Sequence, residues 1–428
     1  MIAKIRATYR KFSKHFWVLI LVSFIDMLGA GLIFPFFSLY LTQKFNVGMI
    51  EIGTMFTVWA VTSGVLGNAL GGALADKFGR KTNIVFGLIS SAISSLLMIF
   101  INDLTLFYIV IGVVGIFEDI AGPARQAMIA DLVTEELRPD AYGLLRINAN
   151  LALTIGPAIG GFMIARSFNL LFIADVFISL TAAAIVYFLL PETMPHTSAD
   201  KKEQSFRETF KGYGQVLKDK LFVSFVVVTI LETIMYFQMN STLSVYLVNF
   251  QGITPEQFGF ILSLNAGMVV LLQILFTHMV ASWKPMLTIA LGNAFYVIGF
   301  SMYGYVSTYP MFLLAMVIIT IGEMIIAPIA QALVANFAPE DMRGRYMAVY
   351  SFAWIIPISI GPLGAGFIMD NYDPRLVWFA VGAIGLLDII GFLWLHVKAG
   401  EQFEAKQNKH KKANVPGLSY KERLELRD

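Results

Sequence analysis

The sequence predicts an all-α membrane protein whose twelve spanning helices form two pseudo-symmetric six-helix bundles. Three observations lead there. Hydrophobic residues make up 57% of the chain and charged residues 14%, with a mean hydropathy of +0.70, far from the balance of a soluble domain. Apolar runs of about 20 residues, enough to cross a bilayer, recur twelve times along the chain. The second half also repeats residues of the first at a nearly constant offset.

The first run, 17 to 41, contains Asp26 and Pro35. It is too long for the core of a signal peptide, so it reads as a retained first helix. Helices 2 and 3, 51 to 75 and 82 to 101, flank a glycine-rich charged turn. Helix 4, 104 to 127, carries Glu118, Asp119 and Arg125, while helix 5, 141 to 165, holds a run of glycines around Pro157. Helix 6, 168 to 190, stops at Pro191, and a polar stretch with Lys201, Lys202, Arg207, Lys211, Lys218 and Lys220 follows. Helices 7 to 12 are expected at 221 to 248, 256 to 281, 285 to 305, 309 to 335, 344 to 370 and 374 to 397. The domains are therefore 1–190, an N-terminal bundle; 191–220, a linker; 221–398, a C-terminal bundle; and 399–428, a tail.

Of the 31 Lys and Arg residues, only Lys44, Arg166 and Arg375 fall outside when both termini are placed in the cytoplasm. Arg125 and Arg146 stay within helices. This positive-inside bias fixes the expected orientation: a multi-pass protein of the cell membrane with linker and tail cytoplasmic. The basic tail serves as an orientation anchor beside the lipid headgroups. Cysteine is absent, which excludes disulfides and thiolate chemistry. No G-x-x-x-x-G-K-[ST] loop occurs, so direct ATP drive is not expected.

A shift of 205 aligns Pro123, Gln126, Arg138, Gly156, Pro157 and Gly161 with Pro328, Gln331, Arg343, Gly361, Pro362 and Gly366. A shift of 206 aligns Asp26 with Glu232 and Gly53 with Gly259. Parallel halves of this kind, with sites near the midplane between them, suit a transporter that rocks one half against the other.

Two motifs stand out. The turn Gly72-Ala73-Leu74-Ala75-Asp76-Lys77-Phe78-Gly79-Arg80-Lys81 has the form G-x-x-x-D-[RK]-x-G-R-[RK], and Gly156-Pro157-Ala158-Ile159-Gly160-Gly161 has the form G-P-x-x-G-G. Proline bends a helix, and small residues let a neighbour approach closely. The pair resembles the helix 2–3 loop and the helix 5 motif of the major facilitator superfamily, specifically its twelve-helix drug:proton antiporters, over nearly the whole chain. The resemblance implies a gate in which Asp76 approaches the N-terminus of helix 11 and Arg80 pairs with an acid at the end of helix 4, here Asp131. Two departures accompany it: Ile111 to Gly115 lacks the Arg and Gln of the family's helix 4 motif, and Ala281 to Pro285 lacks the charged turn.

A charge at the bilayer centre costs roughly 2.5 to 3.5 kcal/mol on insertion scales, so a retained one usually faces a cavity or a partner. Asp26, Glu118, Glu232 and Glu323 sit at matched positions on helices 1, 4, 7 and 10, the helices with which the resembling family lines its central cavity. A partly desolvated carboxyl can hold a proton near neutral pH or answer a cationic ligand. Glu118, Asp26 and Glu232 are the expected proton-coupling acids, with Arg125 two turns from Glu118 on the same face. Glu323 and Asp26 are the expected substrate counter-charges. Phe34, Tyr236 and Trp354 are the aromatic candidates for holding a flat cation. Asp175 and Asp388 are expected to be structural, because the resembling family packs helices 6 and 12 outside the cavity, and Arg146 to snorkel.

The expected function is secondary active transport by a monomer: proton-coupled export of lipophilic, often cationic small molecules by alternating access. The alternative is a proton-coupled or facilitative carrier of a nutrient or metabolite, which the missing helix 4 Arg favours. No enzyme constellation, metal-ligand cluster, cofactor site or nucleic-acid site is read in the sequence.

Overall fold

The computed structural model describes residues 11–67, 70, 77–118, 121–134, 137–194, 214–337 and 342–413, with side chains for all of these except 118, 139, 331, 332, 335, 336, 343, 344 and 399–413. Every regular element among the described residues is helical, and twelve helices are long and apolar enough to cross a membrane. They are α1 (Lys14–Phe45), α2 (Met49–Gly67), α3 (Arg80–Phe100), α4 (Leu104–Glu118 and Ala121–Leu132), α5 (Arg138–Ile164) and α6 (Phe168–Leu189) in the first half. The second half holds α7 (Lys220–Ser241), α8 (Pro255–Val280), α9 (Pro285–Met302), α10 (Tyr309–Phe337), α11 (Arg343–Asn371) and α12 (Leu376–Ala413).

The ends obey local chemistry. Ser13 caps α1 by accepting from Phe16 N–H, and Asp219 caps α7 by accepting from Phe222 N–H. Thr254 and Gln257 cap α8 reciprocally in front of Pro255. Each satisfies an N–H that the first helical turn leaves without a partner. Asn46, with φ of 50°, ends α1 in the left-handed conformation that a short polar side chain tolerates.

Large apolar side chains such as Phe188, Leu271, Ile274 and Val397 stand exposed around the bundle. In water such a surface would associate. Against lipid tails it is matched to its solvent.

The expected elements differ from the observed ones in two places. Helix 12 was expected to end near 397, with the tail beginning at 399, yet α12 runs to Ala413. Glu401 to Ala413 contains only one β-branched or aromatic residue, Phe403, and is otherwise rich in the helix formers Glu, Gln, Ala and Lys, which lets the helix outlast its apolar span. Helix 2 begins at Met49, and its stretch Ala60–Gly67 is wound as a π-helix, an irregularity that hydropathy cannot register.

Glycines allow close helix approaches both within the first half, from α5 to α1, and between the halves. A Cβ on Gly156 would lie 2.8 Å from Gly31 C on α1, and one on Gly161 would lie 2.6 Å from Pro255 O on α8. Gly160 faces Leu32 O at 2.7 Å, while Pro157 lies against Gly259. Gly53 on α2 and Gly366 on α11 make the same kind of backbone approach to Leu363 and Met49. The Asp370 carboxylate closes this end of the molecule, accepting from Met49 N–H at 2.9 Å and Ile50 N–H at 2.8 Å. Those are two of the orphan donors at the N-terminus of α2, where negative charge is favoured.

Candidate functional site

Two cavities follow from one irregularity in α1. Pro35 cannot donate a helix hydrogen bond, and the chain narrows to a 3₁₀ turn over Phe34–Phe36. Phe34 then faces a cavity of about 460 Å³ inside the N-terminal half, while Pro35 faces a smaller one of about 100 Å³ between the halves. The first is in the size range of small-molecule sites; the second is below it.

The larger cavity is lined by α1, α2, α3, α4 and α6. Its charged lining consists of Asp26, Arg125 and Asp175 among the described residues. Arg125 Nη2 donates to Asp26 Oδ2 at 2.6 Å, with side-chain exposures of 14% and 24%. Arg125 Nε is buried without a partner, so the guanidinium is only partly used. Asp175 Oδ2 accepts from Ser95 Oγ at 2.6 Å, and its carboxyl occupies the space where Gly29 carries no side chain. Phe34 packs on Trp59 and Phe56, with ring centroids 6.2 and 6.3 Å apart. Phe237 of α7 meets both Phe34 and Phe56, at 6.1 and 5.8 Å, so an aromatic wall reaches across to the other half.

The smaller cavity holds Glu323, Tyr236, Asn265 and Asn150. Glu323 accepts from Asn265 Nδ2 at 2.8 Å and from Tyr236 Oη at 3.3 Å. Arg146 of α5 is its positive charge neighbour across the interface. Trp354 meets Tyr236 edge-on at 6.2 Å but is itself largely exposed.

The expected site residues thus divide among several places. Asp26, Arg125 and Phe34 share the larger cavity; Glu323 and Tyr236 share the smaller one. Glu232 lines neither: it points into the interior of the second half, towards Asn293 and Asp388. Equal sequence offset puts Asp26 and Glu232 on equivalent helices of separate bundles. Arg125, expected to lie on the same face as Glu118, pairs with Asp26. The side chain of Glu118 lies outside the described residues, as do Gly72 and Asp76.

Asp175, expected to be structural, stands on the wall of the larger cavity. Its signal was available in Gly29, which lies one helical turn from Asp26 and leaves room for a side chain from a packed neighbour.

At the linker end, Gly79 turns with φ of 92° into α3, and Glu192 accepts from Arg80 N–H at 2.8 Å and Lys81 N–H at 3.1 Å. Arg80 Nε lies 3.4 Å from Asp131 Oδ2, and Asp131 accepts from Thr193 Oγ1 at 3.0 Å. Helix 3 therefore starts in a cluster joining α3, α4 and the first residues of the linker.

Two six-helix halves in close backbone contact, with one cavity inside the first half, a second between the halves and acids on apolar helices, are the build of a secondary transporter. The chain belongs to the Major Facilitator Superfamily, whose family model matches residues 19–356 and 240–422. It is 26% identical over 399 residues to a Na(+), Li(+), K(+)/H(+) antiporter of Planococcus maritimus, covering 85% of this chain and 91% of that protein. It is 24% identical to multidrug resistance protein MdtH of Yersinia enterocolitica, covering 90% and 94%. Among solved structures it resembles nucleoside transporter NupG, with a TM-score of 0.74 at 14% identity and coverage of 90% and 99%. A peptide transporter POT in complex with sulfate is likewise similar, with a TM-score of 0.74 at 14% identity and coverage of 91% and 94%.

Proposed function

We propose that this transporter exports lipophilic cations in exchange for protons by alternating access, sitting in the cell membrane as a monomer with both termini in the cytoplasm. One observation carries the reading. The 460 Å³ cavity is largely apolar and aromatic, yet its charged lining among the described residues is two carboxyls, Asp26 and Asp175, against one guanidinium, Arg125. With both acids ionised the site has one negative charge in surplus, and burial makes an unanswered charge costly. A proton answers it, and so does a cationic substrate, but the two compete. Competition of this kind is the basis of exchange: substrate leaves when a proton arrives. Phe34 and Trp59 supply flat faces for a cation with aromatic or aliphatic bulk.

The similarity to MdtH supports a drug-like cargo, and the similarity to the antiporter supports proton exchange. That antiporter also favours a second reading, in which the exported cation is an alkali metal ion. Glu323, held by Asn265 and Tyr236 between the halves, acts in this account as a relay along the interface rather than as the main cargo site. Proteoliposomes with an imposed pH gradient test the reading: cationic dyes should accumulate in an acidic lumen while alkalinising it. Cargo and protons moving in the same direction would contradict it.

A further inference from the structure

Glu232 on α7, Asn293 on α9 and Asp388 on α12 meet inside the second half, away from both cavities. Asn293 and Asp388 are 0% exposed. Glu232 Oε2, both carboxyl oxygens of Asp388 and both polar atoms of the Asn293 amide are buried without a hydrogen-bond partner. The amide is close enough to both carboxyls to favour their charged forms, yet none of these contacts has full hydrogen-bond geometry, and Asp388 has Glu232 as its charge neighbour. Tyr296 on α9 faces both acids, and Tyr350 on α11 faces Glu232. Tyr236 and Glu323 act on the far side of Tyr296. No basic group is a neighbour of either carboxyl among the described residues.

This cluster has a counterpart in the first half. There the acids are Asp26 on α1 and Asp175 on α6, with Ser95 of α3 beside them. Helices α7, α12 and α9 hold the equivalent places in the second half. The difference lies in the counter-charge. Arg125 answers the first pair, whereas a shift of 205 puts Ala330 at the matching position. The second pair has kept its acids without its cation.

Two carboxylates cannot both stay ionised in so dry a place unanswered, since each costs several kcal/mol to desolvate. Two neutral acids would normally satisfy one another through short O–H···O bonds, but no such bond forms here. The oxygens are instead buried in one cluster without hydrogen bonds to one another. Around an ion with metal–oxygen distances of about 2.3–2.6 Å, neighbouring ligand oxygens lie about 3.3–3.6 Å apart, just beyond hydrogen bonding.

Carboxylate and amide oxygens are hard donors suited to hard cations. Four such oxygens in a tightly packed frame fall short of the six to eight that calcium takes, and magnesium gives up its own water reluctantly. The frame is tight: Gly385 and Gly391 lie about one turn either side of Asp388, and a Cβ on them would meet Met235 Sδ at 2.6 Å and Val228 Cγ2 at 2.7 Å. Glu232 is only partly buried as a residue, although its Oε2 is buried.

We infer that Glu232, Asn293 and Asp388 form a binding site for one alkali metal cation, exchangeable for a proton, which takes the place that Arg125 fills in the first half. The site goes beyond the export reading and stands whichever cargo the larger cavity carries.

Thermal unfolding of the purified full-length protein tests it, because a ligand that binds the folded state raises the unfolding temperature with its concentration. NaCl or LiCl should raise it above choline chloride of equal ionic strength at pH 8.5, saturably, and much less at pH 6, where protons compete. Glu232→Gln and Asp388→Asn should each remove the increment, while Glu323→Gln keeps it. If those two variants are not recovered folded, ²²Na⁺ binding to the wild type and to Asn293→Ala replaces them, with at least tenfold weaker binding expected in the variant. Equal unfolding temperatures in sodium, lithium and choline at both pH values would overturn the site. So would an effect of Mg²⁺ or Ca²⁺ without one of Na⁺ or Li⁺, loss of the increment in Glu323→Gln but not in Glu232→Gln, or ²²Na⁺ binding unchanged in Asn293→Ala.

Discussion

Arg125 Nη2 lies 2.6 Å from Asp26 Oδ2 within a cavity whose third charged group among the described residues is Asp175. The pair ties α4 to α1 at membrane depth. Neutralising either partner strands the other. Removing one member of a buried pair costs about 3–5 kcal/mol, and the partial exposure of this pair places Asp26→Asn and Arg125→Ala towards the bottom of that range. The double variant should be more stable than the sum of the singles implies, with a coupling of about 1–3 kcal/mol. Unfolding in detergent measures all four proteins of the cycle.

Asp175→Asn leaves that pair intact but removes the surplus negative charge. Cationic cargo should then bind at least about tenfold more weakly, about 1.4 kcal/mol, while a neutral analogue of the same shape binds as before. Binding measured by tryptophan quenching separates the two ligands, and equal loss for both would mean that Asp175 only supports the wall through Ser95.

Asp370 holds the first two free N–H groups of α2, so its loss should loosen the end of the molecule where α2 meets α11. An N-terminal cap is worth about 0.5–2 kcal/mol, a population shift of about 2- to 30-fold. The chain has no cysteine, so spin labels at positions 47 and 372 need no background removal. Asp370→Ala should broaden their distance distribution towards longer separations. An unchanged distribution would confine Asp370 to local capping.

Arg80→Ala, Asp131→Asn and Asp76→Asn should each abolish turnover while leaving expression and folding largely intact, if the charged turn serves as the gate. Arg80 and Asp131 are 3.4 Å apart, and Glu192 fixes the start of α3 next to them. Normal transport by all three variants would reduce the turn to a topological anchor.

The twelve helices were legible because each span is a long apolar run, a signal summed over some 20 residues. The glycines of helix 5 were legible as close-packing residues, although the sequence does not say that Gly156 meets α1 while Gly161 meets α8. Acid placement was only half legible. An offset of 206 identifies equivalent residues in two bundles, and equivalence places Glu232 in the second bundle as Asp26 sits in the first, not both in one cavity. The partners of these acids, Asp175, Ser95, Asn293 and Asp388, lie 61 or more residues from the acids they meet within each half. Asp370 was invisible for a similar reason: its partners are backbone N–H groups about 320 residues away.

Uptake of a lipophilic cation such as tetraphenylphosphonium into proteoliposomes, with and without an acidic lumen, tests the exchange of a proton for a cation at the Asp26–Asp175 pair most directly. The wild type should accumulate the cation only when the lumen is acidic and should alkalinise the lumen as it does so. Asp26→Asn combined with Arg125→Ala, which removes one charge of each sign, should retain gradient-driven uptake in part, and adding Asp175→Asn should abolish it. Full gradient-driven uptake in the triple variant would contradict the account and place the exchanging charge elsewhere.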